Sequence, residues 1–175
     1  MDKNAMRSFL SERNLSLHKE YLENCRLRLS ILEKSGFPIA NKSYFELCGM
    51  RNCEAKAEIL KLAGEIYRHE LYFDSYGIGG ESCDCLKARY GSLAGFLYEV
   101  ERAAMREEGG FVLIYFDGNS AVIGHSSREL HRRYGAPRLA IDLDEHAYFI
   151  DYGFDKERYV KAAVSHLQIL KLLKK

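Results

Sequence analysis

The stretch Asp142-Leu143-Asp144-Glu145-His146-Ala147-Tyr148-Phe149-Ile150-Asp151-Tyr152 decides how the rest of this chain is read. It follows an apolar run, Leu139 to Ile141, and places a carboxylate and an imidazole four residues apart. Asp and neutral His are a common ligand pair for a redox-active first-row metal. A Glu directly before a ligand His can take the ring N–H of a facing His and so steady a metal site. The bland alternative is a strand end followed by an acidic turn, with a His chosen for packing.

Outward from that stretch, hydrophobic spacing sets the elements. Upstream, Phe111 to Phe116 and Ala121 to Gly124 are β-type runs flanking Asp117-Gly118-Asn119-Ser120, a strong hairpin signal. Arg138 to Leu143 reads as a third strand. Downstream, Asp155 caps a final helix with Tyr159, Val160, Ala163, Val164, Leu167 and Leu170 inward. Helical patterning covers Cys83 to Arg106, broken near Gly91-Ser92. Further back, Ser11 caps a helix whose stripe is Leu15, His18, Leu22, Cys25, Leu29 and Leu32, ended by Gly36 and Pro38. A second helix starts near Cys53, carries Ile59, Leu62, Ile66, His69 and Phe73 on one face, and stops at Gly77. The glycine-rich connector Gly77-Ile78-Gly79-Gly80-Glu81 has no preceding strand and no Lys-Ser/Thr pair, which argues against a phosphate cradle. The expected fold is α+β: an N-terminal helical hairpin in residues 1–80, then an α+β lobe in residues 81–175 with a small antiparallel sheet.

Composition bounds the function classes. With 47% apolar and 29% charged residues, the chain has an ordinary globular balance. A net charge of +1 means that attraction of an anion must come from local placement of Lys and Arg. No basic tract or zinc-finger spacing argues for nucleic acid, and no apolar run is long enough to span a membrane. The polar start, Asp2 to Asn4, argues against a secretory leader. Five cysteines are then expected as reduced thiols in a cytoplasm. Cys48-x4-Cys53 with Cys83-Asp84-Cys85 could also be read as halves of a zinc site, at spacings foreign to common zinc modules.

The stretch quoted first resembles the C-terminal signature of iron/manganese superoxide dismutases, Asp-Val-Trp-Glu-His-Ala-Tyr-Tyr-Leu-Asp-Tyr. Asp142, Glu145, His146, Ala147, Tyr148, Asp151 and Tyr152 match it. Arg68-His69-Glu70-Leu71-Tyr72-Phe73 resembles the family's Asn-His-x-x-Phe-Trp, and Arg89-Tyr90-Gly91-Ser92 its Phe-Gly-Ser segment. Asn14 to His18 is similar to the approach to the first ligand, and His18 is the only His before His69. The resemblance implies the two-lobed fold of that family, one Fe or Mn ion per chain, and the ligands His18, His69, Asp142 and His146. It implies superoxide as substrate, disproportionated to dioxygen and hydrogen peroxide. It also implies a homodimer in which Glu145 reaches the equivalent of His146 across a twofold axis. Lys19, Arg26 or Arg68 could draw the anion in. His125, His131 and His166 fall outside any matching motif and read as surface or packing residues.

Several positions depart from the pattern. The Gln that hydrogen-bonds solvent in the family falls at Glu65 or near Glu107, neither of which is Gln. The gateway Tyr falls at Cys25 or Arg26, with Tyr21 one turn early. Asp144 replaces a Trp, Phe149 replaces a Tyr, and Glu108-Gly109-Gly110-Phe111 takes the place of Gly-Ser-Gly-Trp. Two rival readings therefore stand beside the enzyme. One is a homologue altered or inactive in catalysis that binds metal or acts as a sensor. The other lets Glu65 bind the metal directly, for different oxygen chemistry. Glu65, Tyr21 and Glu145 are the residues expected to act beside the ligands.

Overall fold

The computed structural model describes residues 3–77, 84–125 and 128–173. The fold is α+β, with helices and one small antiparallel sheet. The helices are α1 Lys3–Arg7, α2 Glu12–Lys34, α3 Tyr44–Cys48, α4 Lys56–Asp74, α5 Asp84–Tyr90, α6 Leu93–Arg106, α7 Arg128–Tyr134, α8 Glu145–Tyr152 and α9 Lys156–Ser165. The strands are β1 Phe111–Phe116, β2 Ala121–His125 and β3 Leu139–Asp142. Two compact units emerge: Ser16–Glu70, and Met1–Leu15 together with Leu71–Lys175.

In the Ser16–Glu70 unit, α2 and α4 are joined by ion pairs from Arg26 to Glu70 and from Arg28 to Glu58, each at 2.7 Å. Both pairs are exposed and stabilise only modestly. Burial does more. Ile39, Leu47, Ile59 and Ala63 form a core, with Leu29, Leu32, Phe37 and Tyr44 packed against it. The short α3 within the connection has a full capping box. Ser43 Oγ accepts the Glu46 N–H at 3.3 Å, and Glu46 Oε2 accepts the Ser43 N–H at 2.8 Å.

In the second unit the sheet order is β2-β1-β3, with both pairings antiparallel. Central β1 is buried on both faces from Phe111 to Tyr115, so it reads as a continuous apolar run rather than an alternation. The hairpin closes as its sequence dictates. Asp117 Oδ1 accepts the N–H groups of Asn119 and Ser120 at 2.9 and 2.7 Å, and Gly118 takes φ +98°. β3 pairs Asp142 with Phe111 and Ile141 with Val112, which leaves Asp142 at the end of the strand. Ser75 Oγ accepts the Ala140 N–H at 2.7 Å, tying the segment after α4 to β3.

The last helix differs from expectation. α9 ends at Ser165 rather than running on through Leu170. Leu167 instead pairs with Tyr76 in an isolated antiparallel bridge, and the Gln168 N–H donates to the Ser75 carbonyl at 2.9 Å. A 3-10 turn over Ile169–Leu173 resets the spacing, so Ile169 and Leu172 are buried while Leu170 is exposed. An amphipathic stripe cannot report this change, because the backbone groups of residues 166 and 168 find sheet-like partners. The cysteines also differ. Cys25, Cys48 and Cys53 are free, but Cys85 is in a disulfide. Cysteine count and compartment do not reveal which sulfurs the chain brings together. Cys83 and most of the glycine-rich connector, residues 78–81, lie outside the described residues.

Candidate metal centre

Asp142 and His146 owe their geometry to one short turn. β3 ends at Asp142, Asp144 occupies the N-cap position of α8, and His146 lies in that helix's first turn. Asp142 is fully buried, whereas His146 is about one-third exposed at its side chain. Asp142 Oδ1 accepts the Asp144 N–H at 3.0 Å, and Oδ2 lies 3.3 Å from His146 Nε2. The Tyr159 hydroxyl donates to the Asp142 backbone carbonyl at 2.7 Å and lies 3.4 Å from the Tyr72 hydroxyl. Burial pushes the hydroxyls of Tyr72 and Tyr159 far above their ordinary value, so they stay neutral donors at any physiological pH. A buried carboxylate in such a setting is costly unless a cation or strong donors meet it.

His18 and His69 form the other pair. Both are fully buried, and their rings meet edge to face with centroids 5.0 Å apart. His69 Nδ1 donates to the Glu65 carbonyl at 2.8 Å, one helical turn back. That bond fixes the tautomer and makes Nε2 the nitrogen with the lone pair, as a ligand imidazole requires. Among the described residues, His18, His69, Asp142 and His146 make up a His/Asp group that could hold a metal ion. Three imidazoles and a carboxylate suit iron or manganese, because neither very soft nor purely oxygen ligation is offered.

The residues expected beside the ligands have definite surroundings. Glu65 is ion-paired with Arg68, and its Oε2 lies 3.7 Å from His69 Nδ1. Tyr21 packs against His69 with ring centroids 5.1 Å apart and is partly exposed. Cys25, one turn beyond Tyr21, is buried. Burial and the nearby Glu65 charge push its thiol above the ordinary value, against smaller opposing pulls from Tyr21, Arg28 and Lys61. Glu145 is exposed on the first turn of α8. Glu107 lies 3.2 Å from His125. His131 contacts the Tyr115 hydroxyl at 3.0 Å, and His166 stacks on Phe9.

Two departures singled out in the sequence meet each other, a contact that the sequence does not reveal. Asp144 Oδ1 accepts the Gly110 N–H at 2.7 Å, and Leu143 N–H donates to the Gly110 carbonyl at 2.7 Å. A Cβ on Gly109 would lie 2.7 Å from Asp144 Oδ1, so the carboxylate and the Gly-Gly pair fit one another. Two departures, Asp144 and Gly109-Gly110, are thus one local exchange of apolar packing for a polar clamp. Asn14 is a further buried polar residue, near the start of α2. It is fully buried, and a polar residue four before His18 on an apolar stripe is the signal that marks it.

Residues 79–172 match the family described as iron/manganese superoxide dismutases, C-terminal domain. An iron superoxide dismutase of Plasmodium falciparum is 28% identical over 171 residues, covering 91% of this chain and 84% of that protein. One from Cupriavidus metallidurans is 30% identical over 123 residues, covering 64% of this chain and 61% of its own length. A superoxide dismutase [Mn/Fe] of Rickettsia conorii is 27% identical over 159 residues, covering 86% and 74%. The family match takes in more than half of the chain, including the strand-to-helix turn that carries Asp142 and His146. This chain belongs to the iron/manganese superoxide dismutase family.

Proposed function

We propose that this chain is a superoxide dismutase that holds one iron or manganese ion through His18, His69, Asp142 and His146. The observation that carries the reading is the donor set itself. Two fully buried imidazoles and a fully buried carboxylate, with a third, half-buried imidazole, have no purpose in an apolar interior as good as a shared cation. The metal, when bound, would supply alternate one-electron oxidation and reduction. One superoxide gives dioxygen, and the next takes an electron and two protons to give hydrogen peroxide. The protein's part is positional. The Glu65 carbonyl orients His69, the Asp144 N–H and Tyr159 hydroxyl hold Asp142, and Tyr21 covers the His69 ring. Among the described residues no helix is long and apolar enough to cross a membrane. A cytoplasmic location belongs to the same proposal. The free thiols of Cys25, Cys48 and Cys53 support it, and the disulfide at Cys85 weighs against it.

The working form is a homodimer. Glu145 is exposed on α8, beside exposed Phe149 and Ile150, and Phe149 meets the highly exposed Phe154 at 5.2 Å. An apolar patch next to an acidic residue suits an isologous interface in which Glu145 takes the ring N–H of the partner subunit's His146. A second reading keeps the metal without efficient turnover. It is favoured by the engagement of Glu65 with Arg68, an ion-paired carboxylate at a position where the family resemblance implies an amide. Measuring metal per chain beside superoxide consumption decides among these readings. Metal with activity supports the enzyme, and metal without activity supports the second reading. Absence of bound iron or manganese would overturn both.

A further inference from the structure

The corner between α5 and α6, next to β2, opens into a cavity of about 490 Å³. That volume suits a small-molecule ligand. Its walls are fixed by local chemistry. The Tyr90 hydroxyl, at the end of α5, donates to the Ala121 carbonyl of β2 at 2.9 Å. The Tyr90 ring meets the buried Phe96 ring edge to face, with centroids 5.1 Å apart. Ser92 caps α6 by accepting the Gly95 N–H at 3.0 Å. A Cβ on Gly95 would collide with the Tyr90 carbonyl, so only glycine closes the corner this tightly. Two guanidiniums, Arg89 and Arg102, and one carboxylate, Glu99, line the space. Arg102 is paired with Glu99 at 2.6 Å. Arg89 is held more loosely, 4.0 Å from an Asp117 carboxylate that already accepts two backbone N–H groups. Both arginines are about half exposed, and each guanidinium carries more N–H donors than one carboxylate uses. Tyr98, on the same helix as Arg102, adds a ring that is 62% exposed.

We propose that this cavity is a binding site for a phosphate monoester carried on a flat ring system, of the size of a mononucleotide. The phosphate is taken by Arg89 and Arg102, and the ring stacks on Tyr98. A phosphate monoester brings nearly two negative charges and three strong acceptor oxygens, enough for two guanidinium forks. Two cations against one carboxylate give the lining a local preference for an anion, which the chain's overall charge of +1 does not supply. Stacking on an exposed Tyr asks only for a π-face, and Ile123 adds apolar surface to the same cavity. None of these residues belongs to the His/Asp group of the metal centre, so the site stands or falls separately from the metal.

The test titrates the full-length protein, as purified, with adenosine 5′-monophosphate, adenosine and inorganic phosphate in a calorimeter. The monophosphate is expected to bind with a dissociation constant below about 1 mM, and the other two at least about tenfold more weakly. Arg89→Gln, Arg102→Gln and Tyr98→Ala are each expected to weaken binding of the monophosphate about tenfold or more, while metal per chain stays at the wild-type level. No binding of the monophosphate below that limit overturns the proposal. Adenosine binding as tightly as its monophosphate would show that the guanidiniums are not used, and inorganic phosphate binding as tightly would show that the ring is not. Either result overturns it. A folded variant that binds like wild type removes its residue from the site, and the proposal with it. Circular dichroism identifies the folded variants, and should one fail to fold, the other two decide.

Discussion

The pair Asp142 and His146 and the pair His18 and His69 reach their geometry by different routes. The first is set by a single strand-to-helix turn, in which each residue's place follows from its neighbours in sequence. The second joins two helices far apart in the chain, and it depends on how those helices pack. A local pair survives when surrounding packing drifts, because covalent connection and two or three hydrogen bonds specify it. An assembled pair is only as precise as the packing beneath it. In this chain that packing is the small core of Ile39, Leu47, Ile59 and Ala63.

The largest expected effect removes one member of each pair. Asp142→Ala and His69→Ala should each abolish retention of iron or manganese, read as metal per chain after dialysis against a chelator. Loss of a partner that only orients a ligand typically costs about 10–100-fold instead. Full occupancy in either variant would show that residue not to be a ligand and would leave only one pair in the comparison.

The next effect tests the dependence of the assembled pair on its core. Ile59→Ala should lower stability by about 2–5 kcal/mol in denaturant unfolding, since Ile59 is fully buried. It should also loosen metal binding more than an equally destabilising change in the sheet. Equal loosening from both would erase the distinction between the two routes.

A smaller effect concerns the local pair. Asp144→Ala deprives the part-buried Gly110 N–H of its acceptor and should cost about 1–3 kcal/mol. A chemical-denaturation midpoint unchanged from wild type would mean that the Asp144 clamp adds nothing to the turn that presents Asp142 and His146.

The smallest expected effect lies in the hairpin and depends on pH. Two backbone N–H groups, from Ser120 and then Asn119, hold the Asp117 carboxyl below its ordinary value. A carboxyl depressed in the folded state stabilises above its unfolded value, and the contribution disappears as pH falls through the folded value. Asp117→Ala should therefore lower the melting temperature slightly at neutral pH. The difference should shrink below about pH 3, as the carboxyl becomes protonated in the folded and unfolded chain alike. A difference that grows as the pH falls would contradict this sign.

Much of the molecule is legible in its sequence. The β1–β2 hairpin follows from Asp117-Gly118-Asn119-Ser120, because only a few residues supply both a left-handed turn and a side chain that caps it. The helices α2 and α4 follow from stripes that place His18 and His69 on buried faces. Spacing and chemistry single out Asp142 and His146 but leave a packing His open; the resemblance of the motif around them makes them candidate ligands and points to the family. The short helices α1, α3 and α7 are not legible, since too few residues lie in each to establish a period.

By itself, then, the sequence determined the α+β class, the hairpin and the two buried histidine stripes, because periodicity and short-range hydrogen bonding are local properties, while the candidate ligands came from the resemblance of its motifs. Only the tertiary structure decided that Leu170 faces outward, that Asp144 answers Gly110, that Cys85 is bonded, and that the Asn14 amide meets no partner among the described residues. Each of these depends on which distant group occupies the space beside a residue. Burial and hydrogen-bond satisfaction are properties of the packed chain, and no spacing along the sequence encodes them one residue at a time.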